Sequence, residues 1–74
     1  MNEDLTLQIM NKQEIINQCA RAIQRNSGQF GWIDDNGFNV VDLPTPQRTG
    51  TMTQQTTYAK MKASEIVEQH IQNR

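Results

Sequence analysis

Two apolar runs flank Asp35-Asn36-Gly37 between residues 29 and 43. Phe30, Trp32 and Ile33 precede the tripeptide, and Phe38, Val40, Val41 and Leu43 follow it. Asn-Gly between apolar runs is the strongest short-range hairpin signal, because a two-residue type I′ turn needs positive φ at both central positions. With Asn36 and Gly37 as those two residues, Asp35 pairs with Phe38, Ile33 with Val40, Trp32 with Val41 and Phe30 with Leu43. Phe30, Trp32, Val41 and Leu43 then share one face, the natural core face. Ile33, Phe38 and Val40 share the other. A three-residue loop with a bulge changes those partners. In either register both faces carry apolar side chains, and a two-stranded ribbon of this kind needs cover on both sides. Helices of the chain can cover one face; the second calls for another element or another subunit.

The flanking segments supply the helices. Asn11 followed by Glu14 has the offset of a capping box and predicts a helix over about 11–26. Ile16, Cys19, Ala20 and Ile23 form its apolar stripe, with Ile15 and Ala22 at the edge, and Glu14, Gln18, Arg21 and Arg25 lie opposite. Asn26-Ser27-Gly28 is a stop signal, with Gly28 suited to the left-handed position. Upstream, Leu5, Leu7 and Ile9 alternate with Thr6 and Gln8, the pattern of a half-buried strand. The same residues also fit the opening of a longer helix, but the cap at Asn11 favours the strand. Residues 44–52 form a linker whose two prolines, Pro44 and Pro46, block sheet and helix. Thr51 with Gln54 caps a second helix over about 52–72. Met52, Thr56, Ala59, Ala63, Ile66 and His70 make its packing stripe, Val67 lies alongside, and Ala59 and Ala63 admit a close neighbour. Tyr58 and Met61 point to a different side.

These elements predict one small α+β domain over 1–74: a two- or three-stranded antiparallel sheet with one β-hairpin, packed against two α-helices. The order is β-α-β-β-α, or α-β-β-α if residues 4–10 are helical. Ile16, Cys19, Ile23, Phe30, Trp32, Val41, Leu43, Ala59, Ala63 and Ile66 are the expected core. A chain of 74 residues buries only about 60% of its unfolded surface and is marginally stable by default. Small domains usually add a disulfide, a metal or a second subunit. Cys19 is the one cysteine and His70 the one histidine, so an intrachain disulfide and a Cys/His zinc site both lack partners. Self-association or a tight partner is the remaining supplement. Asn, Gln and Thr occupy most of the surface positions that Lys and Glu usually take, and such a weakly charged surface resists association less. The acidic start Met1-Asn2-Glu3-Asp4, the absence of a long apolar run and the free thiol together predict a cytoplasmic protein.

No constellation of catalytic residues emerges, and no cofactor is implied. Asp34, Asp35 and Asp42 fail the calcium-loop pattern, which with Gly37 sixth would put Trp32 first and Leu43 twelfth. They read as turn acids bonding their own backbone. Cys19 lies on an apolar stripe, where cysteine acts as a small hydrophobe. His70 suits the last turn of its helix as a packing residue. The loop Gln47-Arg48-Thr49-Gly50-Thr51 and the helix N-terminus after it are a candidate site for a small anion or nucleotide, with Arg48, Thr49, Gly50 and Thr51 as its contacts, since backbone N–H groups and an arginine suit phosphate. Its spacing is not that of a Walker loop, and a solvated linker with a capped helix is the plainer reading. Arg21, Arg25, Lys60 and Lys62 are candidate nucleic-acid contacts. With seven Lys+Arg against eight Asp+Glu, net −1, and no clustered block, such binding is disfavoured. Phe30 and Trp32 could stack on a base, but their acidic surroundings favour core packing. Ile33, Phe38, Val40, Tyr58 and Met61 are the candidate protein interface, being apolar and off the packing faces.

A helix–hairpin–helix order, which applies if the first helix begins near Glu3, resembles the architecture of small head-completion proteins of tailed phages, with no shared motif. Gln54-Gln55-Thr56-Thr57-Tyr58-Ala59-Lys60-Met61-Lys62 is similar to the helix start of phage cyclic-nucleotide sponges, although those proteins have a further helix after it. The residues point to a non-catalytic binding protein acting through protein–protein contact. It would be a homo-oligomer or a small regulator or inhibitor of a larger protein, as accessory proteins of phages and mobile elements often are.

Overall fold

The computed structural model describes residues 11–74. The alternating segment 4–10, expected as strand or helix, lies outside them. The order is α1 (Lys12–Gln24), β1 (Gln29–Asp34), β2 (Gly37–Asp42) and α2 (Met52–Gln72). Two helices and one antiparallel hairpin thus form a small α+β domain, α-β-β-α over the described residues.

Local chemistry sets the helix ends. Asn11 is extended, and its side-chain oxygen accepts the Glu14 backbone N–H at 2.9 Å, which satisfies one of the free donors of the first turn. Thr51 and Gln54 complete a reciprocal capping box: Thr51 Oγ1 accepts from Gln54 N at 3.1 Å, and Gln54 Oε1 accepts from Thr51 N at 2.9 Å. The stop of α1 differs from expectation. Asn26, not Gly28, is its left-handed C-terminal residue, with φ of 56°. The Asn26 N–H reaches the Ile23 carbonyl at 2.9 Å and the Ser27 N–H reaches the Ala22 carbonyl at 3.1 Å. That pair of bonds is a Schellman closure, and asparagine tolerates the conformation it requires. Gly28 turns the chain into β1, and its carbonyl accepts from Leu43 N at 2.9 Å just beyond the strand ends.

α1 and α2 pack antiparallel. Lys12 at the start of α1 meets Glu68 near the end of α2 at 3.5 Å, while Gln24 at the end of α1 donates to Thr56 near the start of α2. Between them lie Ile15, Ile16, Cys19, Ala20 and Ile23 against Ala59, Ala63 and Val67, all buried. The alanines, one helical turn apart, let the α1 side chains approach the α2 backbone. Ile23 and Val67 are fully buried, each contributing about 1.5–3 kcal/mol by transfer from water. Trp32 completes this core from the hairpin, and Phe30, Val41, Leu43, Ile66 and Ile71 close around it half-buried.

The hairpin register is two residues away from the type I′ expectation. Asp34 pairs with Gly37, Ile33 with Phe38, Trp32 with Asn39, Gly31 with Val40 and Phe30 with Val41. Asp35 and Asn36 are therefore the turn. Among the described residues Asn26 is the one non-glycine with positive φ, so Asn36 is not left-handed and a type I′ turn is excluded. Gly37, with φ of 103°, takes the left-handed position after the turn, and Asp34 Oδ1 accepts the Asn36 N–H at 2.9 Å. This is the chemistry of an Asx turn closed by a left-handed glycine, and the pairing runs on from it with no extra residue on either strand. A slip of two preserves side-chain facing. Phe30, Trp32 and Val41 accordingly face the helices, while Ile33, Phe38 and Val40 face away.

Candidate functional site

Alternation places Gln29, Gly31, Ile33, Phe38, Val40 and Asp42 on the outer side of the hairpin. Of the large apolar residues there, Phe38 is 71% exposed, Ile33 55% and Val40 46%. Gly31 makes room for Phe38: a Cβ at Gly31 would lie 2.9 Å from the tip of that ring. The ring thus lies across a strand position that carries no side chain, the position paired with Val40, while Phe38 itself pairs with Ile33. Its rim is acidic. Asp42 shares the outer face at the open end, where its Oδ1 accepts from Gln29 Nε2 at 3.1 Å, and Asp35 sits exposed in the turn. From Asn26 to Gln47 the sequence has three aspartates and no lysine, arginine or histidine.

The third aspartate works inward. Asp34 Oδ2 lies 2.9 Å from the Arg74 guanidinium and accepts the Trp32 indole N–H at 3.0 Å. Partial burial pushes the Asp34 pKa up, but hydrogen bonds from the Asn36 backbone and from Trp32, Arg74 and Asn39 outweigh this and bring it from 3.8 to about 2. Beside it lies Asn39, a buried polar residue on the core face. Its Nδ2 donates to the Gly37 carbonyl at 3.0 Å, which turns its Oδ1 toward the end of α2. That oxygen accepts from Arg74 at 3.0 Å and lies 3.0 Å from His70 Nε2, a geometry in which His70 carries its hydrogen on Nε2. The His70 ring also meets Trp32 edge-on, with centroids 5.2 Å apart. His70 is therefore a packing residue, as its stripe position predicts, and additionally a polar tether of the hairpin.

Nothing local in the sequence marks Asn39, Asp34 and Arg74 as a group, because 40 residues separate the ion-paired partners. One signal was available: a polar residue at a core-face position of an alternating strand needs buried partners.

The other candidate residues fall into separate places. Arg48 borders a notch of about 320 Å³ with Gln24, Gln47, Met52 and Gln55. Thr49 and Gly50 instead line a depression of about 430 Å³ with Tyr58 and Met61. At the start of α2 the Thr51 and Gln54 N–H groups are both taken by the capping box. The candidate cations also separate. Arg21 and Lys60 share one depression with Asn17, Gln24 and Thr56, whereas Lys62 sits 5.7 Å over the Tyr58 ring on another side of α2. Cys19 is wholly buried, and burial pushes its thiol up to about 11. Among the described residues, no three His, Cys, Asp or Glu side chains converge to hold a metal ion, and no helix is long and apolar enough to cross a membrane.

No family model, curated protein or solved structure matches the chain.

Proposed function

We propose that this chain is a non-catalytic binding protein that acts through protein–protein contact at the outer face of its hairpin. The observation that carries this reading is the exposure of Phe38, Ile33 and Val40 side by side on a surface otherwise rich in amides and hydroxyls. Contiguous apolar side chains rimmed by polar groups are the usual form of a docking surface. The face is also supported from behind: the Asn39, Asp34, Arg74 and His70 contacts hold the hairpin tip against α2, so it presents a pre-organised surface. The partner would be a second copy or a larger protein that the chain regulates or inhibits.

The test compares wild type with Phe38→Ser, a change at an exposed position that spares the core. Light scattering across a concentration series reads self-association, and native-host pull-down with mass spectrometry reads hetero-association. The reading expects at least one to report an association that Phe38→Ser abolishes. A monomer at millimolar concentration that recovers the same proteins with and without Phe38 refutes it.

A further inference from the structure

We infer that the occupant of the outer hairpin face is a basic, apolar segment of a different protein: two or three apolar side chains flanked by lysine or arginine. This rests on the docking role proposed above and adds the chemistry of the partner.

Charge is the first argument. The apolar patch is bounded by Asp35 at the turn and Asp42 at the open end. Asp34 is already held by Arg74, while the Asp42 side chain is met by the neutral Gln29 amide. Within residues 26–47 no cation balances Asp35 and Asp42. A partner that supplies positive charge on both sides of an apolar centre complements this pattern, and such complementarity selects among partners.

The second argument weighs against a second copy. An isologous pair sets the same patch against itself, which crowds the four rim carboxylates into one interface without a hairpin cation. Its size is also inadequate. Three partly exposed side chains of this kind leave on the order of 300 Å² of apolar surface per chain. Twice that, at the ~57% apolar share of ordinary interfaces, corresponds to roughly 1,050 Å² in all, short of the ~1,200 Å² at which stable protein pairs begin. A short segment laid along the ribbon engages a patch of this size without needing a broad interface.

The test uses three synthetic peptides that share one apolar centre and differ only in flanks of lysine, glutamine or glutamate. Their binding is titrated against wild type, Phe38→Ser and the Asp35→Asn/Asp42→Asn double variant, with circular dichroism as the folding control. The lysine-flanked peptide is expected to bind about tenfold more tightly than the glutamine-flanked one, from two exposed ion pairs, and the glutamate-flanked one more weakly still. The preference should vanish in the double variant and shrink in ~0.5 M salt, while Phe38→Ser abolishes binding of all three. Equal binding of the three peptides, or no binding by any, overturns the basic-partner inference and leaves the docking role standing. A dimer that Phe38→Ser dissolves assigns the face to a second copy, with the same consequence. Peptide binding unaffected by Phe38→Ser overturns both.

Discussion

Replacing Asn39 with alanine tests the tether between hairpin and helices. The side chain is buried and makes three hydrogen bonds: Nδ2 to the Gly37 carbonyl, and Oδ1 to Arg74 and His70. A neutral bond of this kind contributes about 0.5–1.5 kcal/mol net, and one to a charged group about 1.5–3 kcal/mol. Arg74 stays partly in water, so part of its share is recovered by solvation. The expected loss is about 2–3 kcal/mol. That is a large fraction of the total for a chain of this length, about 4–11 kcal/mol, and corresponds to a fall in Tm of roughly 10–20 °C. Urea unfolding followed by far-UV circular dichroism at pH 7 measures it. A double-mutant cycle with His70→Ala then shows whether the bonds act together. A loss under ~0.5 kcal/mol, or additivity of the two changes within about 0.3 kcal/mol, refutes the tether.

Three further outcomes follow from single residues. The Asp34 pKa lies below its unfolded value of 3.8, at about 2; its contribution to stability is therefore complete above pH ~4 and lost as pH falls through ~2. Asp34→Asn should flatten the urea midpoint between pH 5 and 2 relative to wild type, and an unchanged acid slope contradicts the assignment. Gly50→Ala places a Cβ 2.5 Å from Gln54 Oε1 at a φ of 94°, so it strains the backbone and disrupts the capping box together. A loss of about 1–2 kcal/mol is expected, and calorimetry showing no change excludes the cap as drawn. Cys19, fully buried and with its thiol held up at about 11, should react with a thiol reagent only at the rate of unfolding. Labelling that is fast in native buffer and slow in none of the stabilising conditions argues against that burial.

What was legible in the sequence was local. Asn11 with Glu14, and Thr51 with Gln54, mark the helix starts because a cap is made by residues three apart. The stripe Ile16, Cys19, Ala20 and Ile23 marks the face of α1 that packs, because helical geometry alone brings those residues together. The hairpin faces were legible for the same reason, alternation being a property of each strand by itself. Register was not, since it depends on which residues of Asp34-Asp35-Asn36-Gly37 form the turn. An Asx bond from Asp34 to Asn36 moved that choice by one position on each strand. The inward polar group was illegible because Asn39 meets His70 and Arg74 only after α2 has packed. At the candidate interface, Ile33, Phe38 and Val40 come together through alternation, while Tyr58 and Met61 border the linker instead. No pattern in the strands alone specifies what lies against the outer face.

The register has a further consequence. Sliding β2 by two residues would set Val41 opposite Trp32 and Leu43 opposite Phe30, pairings at least as apolar as the observed ones. Burial is therefore indifferent between two hairpins built from the same strands. A polar side chain breaks the degeneracy, because only the observed pairing brings Asn39 opposite Trp32, within reach of His70 and Arg74. Asn39 thus acts as an index mark that selects one alignment out of an equivalent set, a use of buried polarity attested where hydrophobic patterns repeat. In Asn39→Val the two alignments should coexist, visible in NMR as cross-strand contacts of Trp32 with both residue 39 and Val41. A single alignment in that variant would show that the Asp35-Asn36 turn holds the register unaided.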